Sequence, residues 1–130
     1  MKLLLDTHIW IWSVGEPQRL SRRVAKELDD AGNEIWLSPV SIWEAMFLHR
    51  KGRLQVKEGF PTWLRRALTV ASFKEAPFTF DVAEALSCIN LPHADPADWF
   101  LAGSAKVFGL TLVTADRNLI RAKEISVLEN

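Results

Sequence analysis

At 130 residues, with 48% hydrophobic and 25% charged side chains, the chain has room for one domain, and its composition excludes disorder. Sixteen Lys and Arg balance sixteen Asp and Glu, so bulk positive charge is excluded as a way of gripping nucleic acid and only local patches remain. The single cysteine, Cys88, excludes an internal disulfide and a multi-cysteine zinc site.

In chain order, Lys2 to Leu5 predicts a buried strand. Asp6 and Thr7 offer cap chemistry for a helix over Ile9 to Val14, stopped by Gly15 and Pro17. Ser21 caps a helix over Arg22 to Asp30, with Leu20, Val24 and Leu28 on one face and Gly32 as its stop. Glu34 to Leu37 reads as a second strand. Ser38 and Pro39 then open a helix that closes at Gly52, behind Arg50 and Lys51.

Pro61 leads into a helix from about Thr62 to Ser72. Phe73 to Phe78 is a weak edge strand interrupted by Pro77, and Asp81 to Ile89 is helical. The block His93-Ala94-Asp95-Pro96 starts a helix that runs to Phe108 and closes at Gly109. A strand, Leu110 to Val113, leads into Thr114-Ala115-Asp116. Strands alternating with helices predict an α/β fold, a parallel central sheet flanked by helices in a single domain, 1–130.

The acids fall on this map in a pattern. Asp6 ends the first strand and Asp116 lies just past a late one, and ligands of open parallel sheets sit at the carboxyl ends of strands. Glu44 is the only charged residue between Ser38 and His49. Asp98 sits in the first turn of its helix, on a face with the small residues Ala102 and Ala105. Each has an ordinary structural role available: Asp6 and Asp95 as N-caps, Asp98 in a capping box, Glu44 as a solvated helix residue, Asp116 as a turn former.

Together they are harder to explain that way, because clustering has a cost. Two carboxylates about 5 Å apart repel by roughly 3 kcal/mol at an effective dielectric of about 20. A bound divalent cation removes that penalty, and all-oxygen ligands select Mg²⁺ or Mn²⁺. Such an ion also accepts phosphate oxygens and supplies an activated water to a phosphodiester. His8, His49 and His93 are scattered, with no His-x-x-x-His pair, so zinc is not expected.

The segments LLLDTHIWIW, LSPVSIWE, LPHADPAD and GLTLVTAD, in this order, resemble the PIN-domain family and, within it, the VapC-type toxins of bacterial toxin–antitoxin pairs. The resemblance spans essentially the whole chain. It implies a three-layer PIN-like fold and a Mg²⁺-dependent endoribonuclease, with Mn²⁺ substituting. It also implies inhibition by a cognate VapB-type antitoxin and a homodimer or a larger toxin–antitoxin assembly. Carried over by position, Asp6, Glu44, Asp98 and Asp116 match the family's acidic quartet. Asp6 and Asp98 would be the first metal ligands, Glu44 would orient or deprotonate the attacking water, and Asp116 would complete the site directly or through a water. Thr7 and Thr114 match supporting hydroxyls, and Asp95 would be the cap beside Asp98. Trp99 stands where relatives with this block usually carry Arg, which leaves open how a substrate phosphate or a neighbouring acid is held.

Arg19, Arg22, Arg23 and Lys26 recur at i, i+3, i+4 and i+7, a basic face that would track an RNA backbone or simply be solvated. Lys51, Arg53 and Lys57 form a second cluster. Of the six tryptophans, Trp36 and Trp43 are expected in the core, as are Met46 and Phe47. Trp10 and Trp12 cannot face the same way, so one is a candidate anchor for a partner chain or second protomer. The longest weakly charged stretch, Leu3 to Gly15, is too short to span a bilayer and lacks signal-peptide features, so a soluble cytoplasmic protein is expected. The competing reading is a PIN-like module that binds RNA or protein without cutting.

Overall fold

A computed structural model describes residues 1–92 and 94–130. Its centre is a five-stranded, all-parallel sheet in the order β3-β2-β1-β4-β5. The strands are β1 (Lys2–Leu5), β2 (Glu34–Leu37), β3 (Phe73–Glu75), β4 (Thr111–Thr114) and β5 (Ser126–Glu129). Between them run α1 (Thr7–Gly15), α2 (Arg22–Asp29), α3 (Pro39–Arg50), α4 (Phe60–Thr69), α5 (Phe80–Ala85), α6 (Pro96–Phe108) and α7 (Arg117–Ile120).

The side-chain period of two in a strand explains the three layers. In the central strand β1, Leu3 and Leu5 enter one apolar cluster with Ile9 and Trp10 of α1, Val24 of α2 and Trp63 of α4. Leu4 points the other way, into a second cluster with Leu101, Ala102 and Ala105 of α6. All three leucines are buried because β1 is covered on both faces and flanked by β2 and β4. The chain builds outward from β1 to β3, then returns to the other side of β1 for β4 and β5. The sheet therefore has its topological switch point between β1 and β4, where an open α/β sheet leaves a crevice at its carboxyl edge.

Helix α6 packs on the sheet beside that edge. Asp95 caps it by accepting the Asp98 N–H at 3.0 Å, and Gly109 ends it in the left-handed conformation, φ 64°. Ala102 and Ala105 sit against the sheet as the sequence suggested. Gly103 allows a close approach to α5, since a Cβ there would lie 2.6 Å from Leu86 Cδ2 and 3.1 Å from the Val82 carbonyl oxygen.

Several boundaries differ from those the sequence predicts. α1 starts at Thr7, directly on its Asp6 cap, and reaches Gly15. α4 starts at Phe60, with Pro61 inside its first turn, and stops at Thr69. β3 has three residues and ends before Pro77, which has no N–H for a ladder. The helix expected over Asp81 to Ile89 starts at Phe80 and tightens into a 3₁₀ turn, Leu86–Cys88. β4 is shifted one residue later than expected. The opening of the His93 block lies in part outside the described residues, at His93 itself.

Two core expectations are overturned. Trp43 is 47% exposed and Phe47 37%, because α3 closes the end of the sheet and buries only Ser41 and Ala45 completely. Met46 is half-buried, as is Trp36, whose indole stacks on Phe108 and donates to Glu34. Among the described residues no helix is long and apolar enough to cross a membrane.

Candidate active site at the carboxyl edge of the sheet

Asp6 follows β1 directly and is buried. Its Oδ1 accepts the Thr7 N–H at 2.7 Å, which caps α1, and its Oδ2 accepts the Thr114 hydroxyl at 2.6 Å. Thr114, the last residue of β4, also accepts the Asp116 N–H at 3.0 Å. One hydroxyl thus ties together the acids that follow β1 and β4. Asp116 in turn caps α7 by accepting the Asn118 N–H at 2.8 Å.

On the other side, Thr7 Oγ1 contacts Glu44 Oε1 and lies 2.9 Å from Ser41 Oγ. Thr7 has one hydroxyl proton, and the carboxylate is the stronger acceptor. Thr7 therefore donates to Glu44, and Ser41 donates to Thr7. The two threonines are fully buried and hold Asp6 and Glu44 from behind.

Asp6, Glu44, Asp95, Asp98 and Asp116 line one cavity of about 360 Å³ together with His8, Trp12 and Arg19. Burial pushes the Asp6 carboxyl up from its ordinary value, against the pull of the Thr114 and Thr7 hydrogen bonds. Burial raises Glu44 to about 7, and the charges of Asp6 and Asp95 add to it. Asp98 also stands at about 7, raised first by burial, then by Asp95, Asp6, Asp116 and Glu44. Among the described residues, the ion pairs join Arg19 to Glu16, Arg66 to Glu58 and Lys74 to Glu34, and none takes in a cavity acid.

These acids share one negative centre that no ion pair among the described residues neutralises. Among the described residues no three of them stand as a ready-made metal cage. The donor set nonetheless fits Mg²⁺, which binds through one or two carboxylates and keeps several waters.

The basic residues singled out from the sequence are divided by the fold. Arg19 closes a 3₁₀ turn, Pro17–Arg19, and lines the acid cavity. Arg22, Arg23 and Lys26 lie exposed on α2, which starts only after Ser21, and line no part of that cavity. Lys51 lines an adjoining cavity of about 450 Å³ with Trp43, Phe47 and Arg53, which shares His8, Glu44 and Asp95 with the first. Trp10 is the buried member of its pair, and Trp12 is half-buried with the Arg19 guanidinium over its ring. Trp99 is half-buried against the second apolar cluster rather than in the acid cavity wall. His8 has no signal as a cavity residue in the sequence beyond its nearness to Asp6, whereas Trp12 stands there as a candidate partner anchor and Arg53 as a member of the second basic cluster.

The PIN domain family model matches residues 3–125. Ribonuclease VapC22 of Mycobacterium tuberculosis is 33% identical over 120 residues, covering 90% of this chain and 88% of that protein. Among solved structures, VapBC2 from Rickettsia felis, bound to a DNA fragment from its promoter, matches with a TM-score of 0.76 and 19% identity, covering 99% of this chain and 98% of that one. DNA-bound VapBC from Salmonella typhimurium matches at 0.72 and 15% identity over 99% and 98% of the two chains. FitAcB from Neisseria gonorrhoeae matches at 0.66 and 23% identity over 97% and 96%. The family-model match over residues 3–125 and the 33% identity to a VapC protein show that the chain belongs to the PIN-domain family.

Proposed function

We propose that this chain is a Mg²⁺-dependent endoribonuclease acting as the toxin of a toxin–antitoxin pair in the cytoplasm. One observation carries the reading: five carboxylates, none neutralised by an ion pair among the described residues, line a single cavity at the sheet's switch point. That arrangement is costly without a cation and is suited to a phosphodiester with one. The relationship to a protein named Ribonuclease VapC22 supports RNA as the polymer.

Asp6 and Asp98 would hold the ion, with Asp116 completing the set directly or through a water; Mn²⁺ substitutes for Mg²⁺. When bound, the ion neutralises charge on the scissile phosphate and acidifies a water. The chain's own residues do the rest. Thr114 fixes Asp6 and the backbone of Asp116 in one geometry. Thr7 orients Glu44 through Oε1, leaving Oε2 as the base. In the metal-free chain burial raises this carboxyl to about 7, and as a carboxylate it accepts a proton. The water oxygen forms the new bond to phosphorus and its proton passes to Glu44. The bridging bond to the ribose oxygen would break, and that oxygen would take its proton from solvent water as Glu44 releases its own.

A VapB-type antitoxin and a homodimer, or a larger assembly of both, complete the proposal. Trp43, Phe47, Phe78 and Phe80 are exposed and offer apolar surface for such contacts. The test is cleavage of structured and single-stranded RNA with Mg²⁺, with Mn²⁺ and with EDTA, beside Asp6→Asn and Asp98→Asn. Metal-dependent cutting lost in both variants is the expected result. Metal binding without cutting by the unaltered protein, on RNAs of varied sequence, would favour the binding-only module instead.

A further inference from the structure

Among the described residues, Arg19 is the one Lys or Arg in the wall of the acid cavity. Its guanidinium carbon lies 4.1 Å from the Trp12 ring centroid, and Nη1 pairs with Glu16 at 3.1 Å. Its backbone is held as well. Asn130 donates from Nδ2 to the Arg19 carbonyl at 3.1 Å and accepts the Ser21 N–H at 2.7 Å. The Asn130 N–H reaches the Thr114 carbonyl at 3.0 Å. Thr114 therefore positions Asp6 through its hydroxyl and the Arg19 turn through its carbonyl.

An exposed arginine ordinarily gives up much side-chain entropy when it binds. Here an aromatic face, an anion and a fixed turn have already restricted it, while half of the side chain stays open to solvent. A polyanion approaching five carboxylates is repelled unless a cation beside them offsets the charge. A guanidinium suits that place, because its donors match phosphate oxygens while its flat face rests on an indole.

We propose that Arg19 is a substrate-positioning residue that grips an RNA backbone phosphate beside the acid cavity, held in place by Trp12 and Asn130. The proposal rests on the ribonuclease reading, and its test needs no cleavage. A short, fluorescently labelled single-stranded RNA is titrated with the Asp98→Asn protein in Mg²⁺ buffer across a salt series. Adding Arg19→Gln weakens binding by about ten-fold, as loss of one charged hydrogen-bonding group does. It also lowers the slope of log affinity against log salt by about 0.7, one phosphate contact on a single strand. Arg19→Lys keeps the slope while losing part of the affinity. Asn130→Ala, which changes no charge, weakens binding at an unchanged slope. Arg65→Gln, exposed on α4 outside the cavity wall, changes neither. In the cutting enzyme, Arg19→Gln raises KM more than it lowers kcat.

Equal losses for Arg19→Gln and Arg65→Gln would mean bulk charge and overturn the assignment. So would unchanged binding in Arg19→Gln, or no RNA bound by the parent protein. Cutting by the unaltered protein is assayed separately. Arg19-dependent binding without cutting would sink the enzyme reading alone, and cutting indifferent to Arg19 would sink this assignment alone.

Discussion

Thr114 serves two acids at once, so a single methyl-for-hydroxyl exchange should disturb both. In Thr114→Val the shape is nearly kept, but Asp6 Oδ2 loses its donor and the Asp116 N–H loses its acceptor. Leaving such groups unpaired costs about 1–3 kcal/mol. Urea unfolding should show that loss, and RNA cutting should fall with it; full stability would mean the two groups find water instead. Asp6 and Asp98 differ in the same terms. Asn at position 6 has one acceptor oxygen for two donors, so relief of a buried charge is offset by a lost hydrogen bond. The Asp98 carboxylate takes no side-chain hydrogen bond among the described residues, and burial and neighbouring charge act on it alone. Asp98→Asn should therefore abolish cutting and raise the metal-free melting temperature by several degrees near neutral pH. A lowered melting temperature would show that the carboxylate is stabilised by a partner rather than repelled.

Helix α6 carries Asp98 to the cavity, and its fit depends on Gly103. Ala in place of a mid-helix Gly ordinarily gains about 1 kcal/mol in propensity. Here the added Cβ meets Leu86 Cδ2, which can swing aside, and the Val82 carbonyl oxygen, which belongs to the α5 backbone and cannot. Overpacking costs about 1–3 kcal/mol, so Gly103→Ala should be destabilising on balance, by about 1 kcal/mol. Thermal unfolding reads this directly, and a gain in stability would mean α5 yields to α6. The elements that sequence alone revealed are those with strong local signals. LLL before a capping Asp, Ser38-Pro39 and Asp95-Pro96 each mark a helix or strand through chemistry contained in a few residues. β5 and α7 had no such signal. Ser126–Glu129 is an edge strand with only Leu128 fully buried, and Arg117–Ile120 is a single turn, so both exist through packing against β4 and its flanks. The same distinction separates the site residues. The acids were legible because each interrupts an apolar run or opens a helix. Arg19 looked like part of the α2 face, because Ser21 and the 3₁₀ turn that divide them do not alter the i, i+3 spacing. Trp43 and Phe47 looked like core because hydrophobicity does not reveal that α3 lies across the open end of the sheet.

Over the whole molecule, the acid cavity makes stability depend on pH in an unusual direction. Glu44 and Asp98 stand at about 7 in the folded chain, against ordinary values of 4.5 and 3.8. The native state therefore binds more protons than the unfolded chain between those limits, and acidification favours folding. The gain is complete only below the ordinary values and is lost as pH rises through about 7. Glu34, lowered by Lys74, works in the opposite sense but only near and below its ordinary 4.5, outside this window. In EDTA, the melting temperature should thus be several degrees higher at about pH 5.5 than at about pH 8. Asp98→Asn should flatten that difference. Mg²⁺ competes with the same protons, so its stabilisation should be largest at the alkaline end, where the carboxylates are charged, and should fade toward pH 5.5. At a hundred times its dissociation constant, a ligand that binds only the native state adds about 2.7 kcal/mol. Melting curves across pH, with EDTA and with Mg²⁺, should therefore converge at the acid end and part at the alkaline end. Parallel curves would mean that metal and protons bind in different places, and Asp6, Asp95 and Asp116 would then be caps alone, with Glu44 and Asp98 no part of a metal site.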